Sequence, residues 1–217
     1  RLTEVIHDKV AAVQLMNDQA QIGLAIGGPL LLLLIGLAPR VITLLYSKEF
    51  APAVELLQWQ SVGNVFKLAG WALGFSIVAA GRSKTFFLLQ VNFNVIFLLL
   101  LWPTLTKFGI AAAGPAFTIA YLLQLTAVFL VVRVVHNFRW QPLSLKLLFL
   151  HGSLAVVLLA AAQNFPVGVA AASIALALGT GVFGIRVVLS KIGNQGSLPI
   201  RLYGIFARLG WPIRPAV

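Results

Sequence analysis

Cysteine is absent from this chain, and acidic residues are scarce, with five Asp and Glu among 217 residues. Without cysteine the chain has no disulfide and no thiolate metal site, and the three scattered histidines do not predict a zinc cluster. Its short loops also lack the paired carboxylates and histidine clusters that membrane-embedded transferases use for catalysis. The composition therefore predicts a protein that is not an enzyme and needs no cofactor.

Charged residues of either sign make up only 10% of the chain, whereas hydrophobic residues make up 60% and the mean hydropathy is +0.97. A soluble domain carries about 25% charged residues, so this composition predicts a multi-span membrane protein. The formal net charge of +11 comes from basic residues that lie between apolar runs. Because nucleic-acid-binding proteins gather basic residues on one solvated face, this charge indicates membrane topology and lipid contact, with no nucleic-acid partner.

Six apolar segments predict an all-α integral membrane fold with about six transmembrane helices. They cover about residues 4–37, 50–80, 85–102, 110–135, 145–162 and 167–189. Pro103 is expected to stop the third helix, and the short apolar run after Pro39 and Arg40 is either the end of a long first helix or an interfacial turn. Residues 1–190 are thus predicted to form a six-helix transmembrane lobe.

Residues 191–217 are predicted to form a basic amphipathic tail on the cytoplasmic side. Arg201, Gly204 and Arg208 align opposite a set of apolar residues, and Trp211 follows. A segment of this kind is typical of helices that lie on an anionic membrane surface.

Lysine and arginine are distributed unevenly between the two sides that six spans define. If the first span runs outward from the cytoplasm, the outer side keeps only Arg40, Lys48 and Lys107. The positive-inside rule then places both chain ends in the cytoplasm. Since the chain opens with Arg1 and its one methionine, Met16, lies inside a helical pattern, the natural start is expected upstream.

The second apolar segment carries a basic residue near its middle, Lys67. A cation at this depth costs roughly 2.5 to 3.5 kcal/mol on insertion scales, so Lys67 is expected to face a water-filled or protein-lined cavity. Gln60, Asn64, Lys67 and Trp71 share one helical face and predict a polar stripe. An alternative interpretation is that Lys67 pairs with a carboxylate or carbonyl groups of a neighbouring helix and only holds the bundle together.

Other polar residues of the spans extend this pattern. Gln90 and Asn94 lie one turn apart on the third span, and Thr118, Tyr121 and Gln124 of the fourth are further candidates for a polar lining. His151 is interpreted as a core histidine bonded to backbone, and His136 as an interfacial side chain. The sequence Gly27, Gly28, Pro29 predicts either a hinge or a simple packing bend in the first helix.

Two stretches resemble a known family. The run LLYSKEFAPAVELLQWQSVGNVFKLAGWALGFSIVAAGRSK, residues 44–84, resembles the seventh and eighth helices of bacterial O-antigen translocases. The run FGIAAAGPAFTIAYLL, residues 108–123, is similar to the motif that opens the tenth helix of that family. These proteins are polysaccharide-export flippases of the multidrug/oligosaccharidyl-lipid/polysaccharide (MOP) superfamily. The resemblance covers most of residues 1–135, and beyond them it is mainly one of hydropathy.

The resemblance implies a fold of two six-helix lobes around a central cavity, of which this chain supplies the C-terminal lobe. The resemblance also implies several partners, which are the missing N-terminal lobe, membrane lipid, a polysaccharide polymerase and a chain-length regulator. The implied cargo is an undecaprenyl-pyrophosphate-linked oligosaccharide that crosses the bacterial inner membrane by alternating access.

The resemblance also implies roles for individual residues. Lys67 would contact the pyrophosphate or sugar headgroup, and Gln60, Asn64, Gln90 and Asn94 would bond sugar hydroxyls. Interhelical hydrogen bonding is the competing account for the four amides.

Several other functions stay open. A small-molecule antiporter of the same superfamily would need an intramembrane carboxylate, but Asp18 and Glu55 lie near span ends. A peptidoglycan-precursor flippase, a membrane-embedded glycosyltransferase or acyltransferase, and a structural partner subunit are the further alternatives.

Overall fold

The computed structural model describes residues 8–46, 48–192 and 197–213. Six long helices and one short helix form within these ranges. They are α1 (Lys9–Leu45), α2 (Ala53–Ala79), α3 (Ser83–Phe108), α4 (Ala113–His136), α5 (Pro142–Ala162), α6 (Pro166–Ile192) and α7 (Ser197–Arg208). Asp8 caps α1, because its carboxylate accepts hydrogen bonds from the backbone N–H groups of Val10 and Ala11. The predicted start of the first span, near residue 4, lies outside the described residues.

Five segments of the described chain are long and apolar enough to cross a membrane, and the longest, 83–136, contains both α3 and α4. These two helices fold back on each other at a short turn that begins at Gly109, whose φ of 58° is left-handed. Gln124 of α4 donates through Nε2 to the Leu89 carbonyl of α3 at 2.9 Å. The protein is therefore an all-α membrane protein, as predicted, and six helices of the described ranges are of membrane-spanning length.

Helix α1 is longer than predicted because a neighbouring helix compensates for a proline. Pro39 has no N–H to donate to the Ile35 carbonyl one turn earlier, and Gln58 of α2 donates through Nε2 to that oxygen at 3.0 Å. With its freed carbonyl satisfied, the helix continues to Leu45. The predicted end near residue 37 is wrong, and the alternative of a long first helix is correct.

Pro29 lies inside the same helix and frees the carbonyl of Ala25. This oxygen approaches α6 at Gly184, where any Cβ would overlap with it. The close approach explains why a glycine is needed at this point of α6.

Pro103 does not stop α3, which continues to Phe108. Pro103 has no N–H to donate to the Leu99 carbonyl one turn earlier. The hydroxyl of Thr104 donates to the neighbouring carbonyls of Leu100 (2.8 Å) and Leu101 (3.0 Å). The prediction that Pro103 ends the third helix is wrong, because the helix continues despite the loss of this one intrahelical hydrogen bond.

Helices α1 and α2 form the centre of the bundle. Helix α1 packs against α2, α5 and α6, whereas α2 packs against α1, α4 and α5. Helix α3 packs mainly against α4, and Leu89 is its one buried side chain. Helices α6, α1, α2, α4 and α3 thus follow one another in a layer, with α5 covering one side of α1 and α2. The other side of this layer is open and exposes Leu30, Trp71 and Phe75.

One end of the bundle, which we call the basic end, is fastened by polar side chains. Asn17 of α1 donates to the Arg139 carbonyl at 3.0 Å and accepts from the Gln141 N–H and the Ser144 hydroxyl, both at 2.8 Å. Asp18 pairs with Lys191 of α6 at 2.7 Å. The start of α1, the α4–α5 loop and the end of α6 therefore meet here. The described basic residues of this end are Lys9, Arg82, Lys84, Arg133, Arg139, Lys146, Arg186, Lys191, Arg201 and Arg208.

Candidate functional site

Lys67 lies near the middle of the 27-residue helix α2. At a rise of 1.5 Å per residue, it is roughly 20 Å from either end of the helix. Its side chain is half-buried. The preceding residue, Phe66, faces Gly152 of α5, so Lys67 occupies a different face of α2 from the one covered by α5. An α2 that spans a bilayer places this ammonium group close to the hydrocarbon centre.

Two aromatic rings hold the ammonium group of Lys67. Its Nζ lies 4.8 Å from the ring centroid of Trp71, one turn along α2, and 5.2 Å from that of Tyr121 on α4. Tyr121 is itself packed, with ring centroids 4.3 Å from Phe93 and 4.6 Å from Phe117. Cation–π contacts are worth about 0.5 to 1 kcal/mol each at exposed sites and about 2 when desolvated. They stabilise the cation but do not neutralise it.

The charge of Lys67 has no carboxylate partner among the described residues, where the one ion pair is Lys191–Asp18. Lys67 also donates no hydrogen bond to a side chain or carbonyl in the part of the chain that the structure describes. The nearest interhelical bonds around it involve Gln58, Thr118 and Gln124 instead. The alternative in which Lys67 only cements the bundle through an ion pair therefore finds no partner in the described chain.

Lys67 and Trp71 form the wall between two cavities. A cavity of about 190 Å³ lies towards α3 and α4, where Gln90, Tyr121 and Gln124 line it. A second cavity of about 280 Å³ lies towards α1, and its lining residues are Gly27, Leu30, Leu31, Leu34, Asn64, Lys67, Leu68 and Trp71. Both volumes are mainly apolar, and the ammonium group is the one charge that borders them. An anion that enters either cavity meets this cation.

The structure brings together some of the predicted binding residues and not others. Asn64 and Gln90 each line one of the two cavities. Gln60 is half-buried and lines neither of them. Asn94 is exposed, and its amide donates to the Gln90 carbonyl within α3 at 2.8 Å. For Asn94 the hydrogen bond is therefore local, and its predicted contact with sugar hydroxyls stays a prediction.

Among the further polar candidates of α4, only Tyr121 reaches Lys67. The hydroxyl of Thr118 donates to the Trp59 carbonyl of α2 at 2.8 Å, and the amide of Gln124 donates to α3. Both side chains therefore hold neighbouring helices together. The sequence predicts only that Tyr121 shares a helical face with Thr118 and Gln124. It does not predict the cation–π contact between Tyr121 and Lys67.

The Gly27–Gly28–Pro29 sequence lies where α1 is closely packed against α2 and α5. A Cβ at Gly27 would lie 2.5 Å from Leu68 Cδ1 of α2, and one at Gly28 would overlap with the His151 ring of α5. His151 is fully buried, and its Nδ1 bonds to the Leu147 carbonyl at 2.9 Å, as predicted for a core histidine. Close packing thus accounts for the two glycines, and the hinge stays a prediction.

Fold and site together define a multi-pass α-helical membrane protein, with a cation halfway along a central helix that has no carboxylate partner in the described chain. No family model, curated protein or solved structure matches the chain. The resemblance of residues 44–84 and 108–123 to O-antigen translocases therefore stays a prediction. Among the described residues, no group of three His, Asp or Glu side chains is placed to hold a metal ion.

Proposed function

We propose that this chain is one lobe of a flippase that carries an undecaprenyl-pyrophosphate-linked oligosaccharide across the bacterial inner membrane by alternating access. The observation that carries the proposal is Lys67, a cation at mid-membrane depth with no carboxylate partner in the described chain, bordering two cavities. The resemblance to O-antigen translocases supports the same reading, since that family's central basic residue falls at this position.

The energetics favour an anionic cargo. Keeping a lysine at this depth costs about 2.5 to 3.5 kcal/mol on insertion scales. The two cation–π contacts return about 1 to 2 kcal/mol in total at the exposed-site value, which applies because Lys67 is only half-buried and borders two cavities. The remaining cost is removed when an anion occupies the cavity, so a pyrophosphate headgroup is bound where its own desolvation would otherwise be prohibitive. A cation-exporting antiporter has no comparable use for an intramembrane ammonium group.

The open side of the helical layer suits a lobe that faces a second one. Trp71 and Phe75 of α2 and Leu30 of α1 are more than half exposed, at 51%, 57% and 61%. In the proposed transporter this face borders the central cavity, and a second six-helix lobe completes it. The distribution of lysine and arginine supports a cytoplasmic position of the basic end, the side on which the proposed transporter loads its cargo.

The test is the export of surface polysaccharide in cells that carry the intact protein with Lys67→Ala or Lys67→Arg. We expect export to fall at least tenfold in K67A at unchanged protein level, and to be largely kept in K67R because the charge is kept. Lys107→Ala, which removes an exposed cation near the end of α3, is the matched control. Normal export by K67A would remove Lys67 from the mechanism. A glycosyl or acyl product made by the purified protein would favour an enzyme instead.

A further inference from the structure

The short helix α7 folds back on the end of α6. Phe206 of α7 is buried against Leu189 of α6 and Ile213. The hydroxyl of Tyr203 donates to the Leu189 carbonyl at 2.8 Å. After α7 the chain turns at Gly210, whose φ of 73° is left-handed, and residues 211–213 lie across the end of α6.

Arg186 of α6 fastens this final stretch. Its Nη2 donates to the Pro212 carbonyl at 3.0 Å, and its guanidinium carbon lies 4.4 Å from the ring centroid of Trp211. A guanidinium group has five N–H donors, and most of those of Arg186 have no partner among the described residues. No carboxylate pairs with Arg186 in the ranges that the structure describes.

A cavity of about 300 Å³ opens beside this arginine, between the start of α5, the end of α6 and the final stretch. Its lining residues are Leu143, Phe183, Arg186, Val187, Ser190, Pro212 and Ile213. One water occupies about 30 Å³ of liquid, so the space is large enough for a phosphodiester group and part of its glycerol. Arg186 is the one charged residue of this lining. The cavity, its arginine and helix α7 are called the basic groove below.

Further cations and apolar side chains surround the basic groove. Lys146 is exposed one turn after Leu143 on the same side of α5. Arg201 and Arg208 are exposed on α7, and Ile205 and Leu209 beside them are 50% and 72% exposed. The cations can contact a lipid phosphate, and the exposed aliphatic side chains can contact the acyl chains below it. Trp211 is of the residue type enriched at the interface between headgroups and acyl chains.

We propose that the basic groove binds the headgroup of an anionic phospholipid, with Arg186 and Lys146 contacting its phosphodiester. The bound lipid then holds α7 against the end of α6. This site is separate from Lys67 and does not depend on the transport proposal, because it lies at the basic end of α5 and α6 and not halfway along α2. Basic pockets between membrane helices on the cytoplasmic side are a known mode of recognising anionic lipids.

The experiment is native mass spectrometry of the purified full chain titrated with phosphatidylglycerol or with phosphatidylethanolamine. We expect the unmodified protein to prefer phosphatidylglycerol. Arg186→Gln and Lys146→Gln should each weaken phosphatidylglycerol binding about fivefold, since each basic residue near an anionic lipid surface contributes about that factor. Phosphatidylethanolamine has the same phosphodiester beside an ammonium group that offsets its charge, so its binding should weaken less than that of phosphatidylglycerol in both variants.

Arg40→Gln is the matched control, because Arg40 is exposed, as Lys146 is, and lines a cavity at the opposite end of the bundle. Lys146 makes no hydrogen bond or ion pair in the described chain, so K146Q tests the charge even if R186Q loosens residues 211–213. Equal affinity for the two lipids, or equal phosphatidylglycerol binding in K146Q, R186Q and R40Q, would overturn the proposal. Inorganic phosphate that competes as well as the lipid would assign the groove to a free anion instead.

Discussion

Replacing Lys67 by methionine separates a binding role from a packing role, because the side chain keeps its length and loses its charge. Removing the charge recovers about 2.5 to 3.5 kcal/mol of insertion cost. It forfeits about 1 to 2 kcal/mol from the contacts with Trp71 and Tyr121, whose centroids lie 4.8 and 5.2 Å from Nζ. We therefore expect the free energy of unfolding to rise by roughly 0.5 to 2.5 kcal/mol, while transport is lost.

The assay has two readouts on the same purified variant. Thermal denaturation in nanodiscs should show a melting temperature higher by roughly 1 to 10 °C, using about 2 to 4 °C per kcal/mol for a chain of this size. Flipping of a fluorescent lipid-linked oligosaccharide in proteoliposomes, with the complete transporter, should fall at least tenfold. Lys107→Met provides the control for a neutralised cation outside the bundle centre and should move neither readout. A destabilised K67M, with transport that falls only in proportion to folded protein, would refute the reasoning.

Two further predictions concern how the bundle accommodates its helix breakers. Gln58→Leu should destabilise the protein by about 1 to 3 kcal/mol, because it leaves the buried Ile35 carbonyl unpaired. Adding Pro39→Ala should rescue this variant, since the restored N–H of residue 39 donates to the same carbonyl. Thermal denaturation of the single and double variants measures this coupling, and strictly additive effects would contradict it. Gly184→Ala should cost about 1 to 3 kcal/mol through overlap with the facing carbonyl of α1, whereas Gly179→Ala in the same helix, where a Cβ meets nothing within 4 Å, should be neutral or stabilising. Equal melting temperatures for the two alanine variants would show that α6 does not approach α1 this closely.

Hydropathy predicted the membrane helices because each helix satisfies its backbone hydrogen bonds within itself, so its formation does not depend on which helices lie beside it. The amphipathic start of α1 was visible for a similar reason. Gln14, Asn17, Asp18 and Gln21 recur at helical spacing, and the structure places all four at the basic end, where they bond to the α4–α5 loop and to Lys191.

The helix ends at the prolines depended on tertiary contacts. From the sequence, Pro103 is predicted to stop a helix, because a proline removes one intrahelical hydrogen bond. The run after Pro39 is predicted to be either the end of a long helix or an interfacial turn. Whether the freed carbonyl finds another donor depends on a residue elsewhere in the chain. Gln58 supplies that donor for Pro39, although it lies on a different helix.

For the candidate site, the sequence alone determined that α2 carries a polar stripe with a cation at its centre, because periodicity states which residues share a face. Only the tertiary structure decided what that face meets. In the structure, Tyr121 lies beside Lys67 and one cavity lies on each side of it. Asn94 bonds to its own helix, and no described carboxylate pairs with the charge of Lys67. Periodicity does not contain this information, since the choice of neighbour for each face depends on shape and packing between helices that are distant in the sequence.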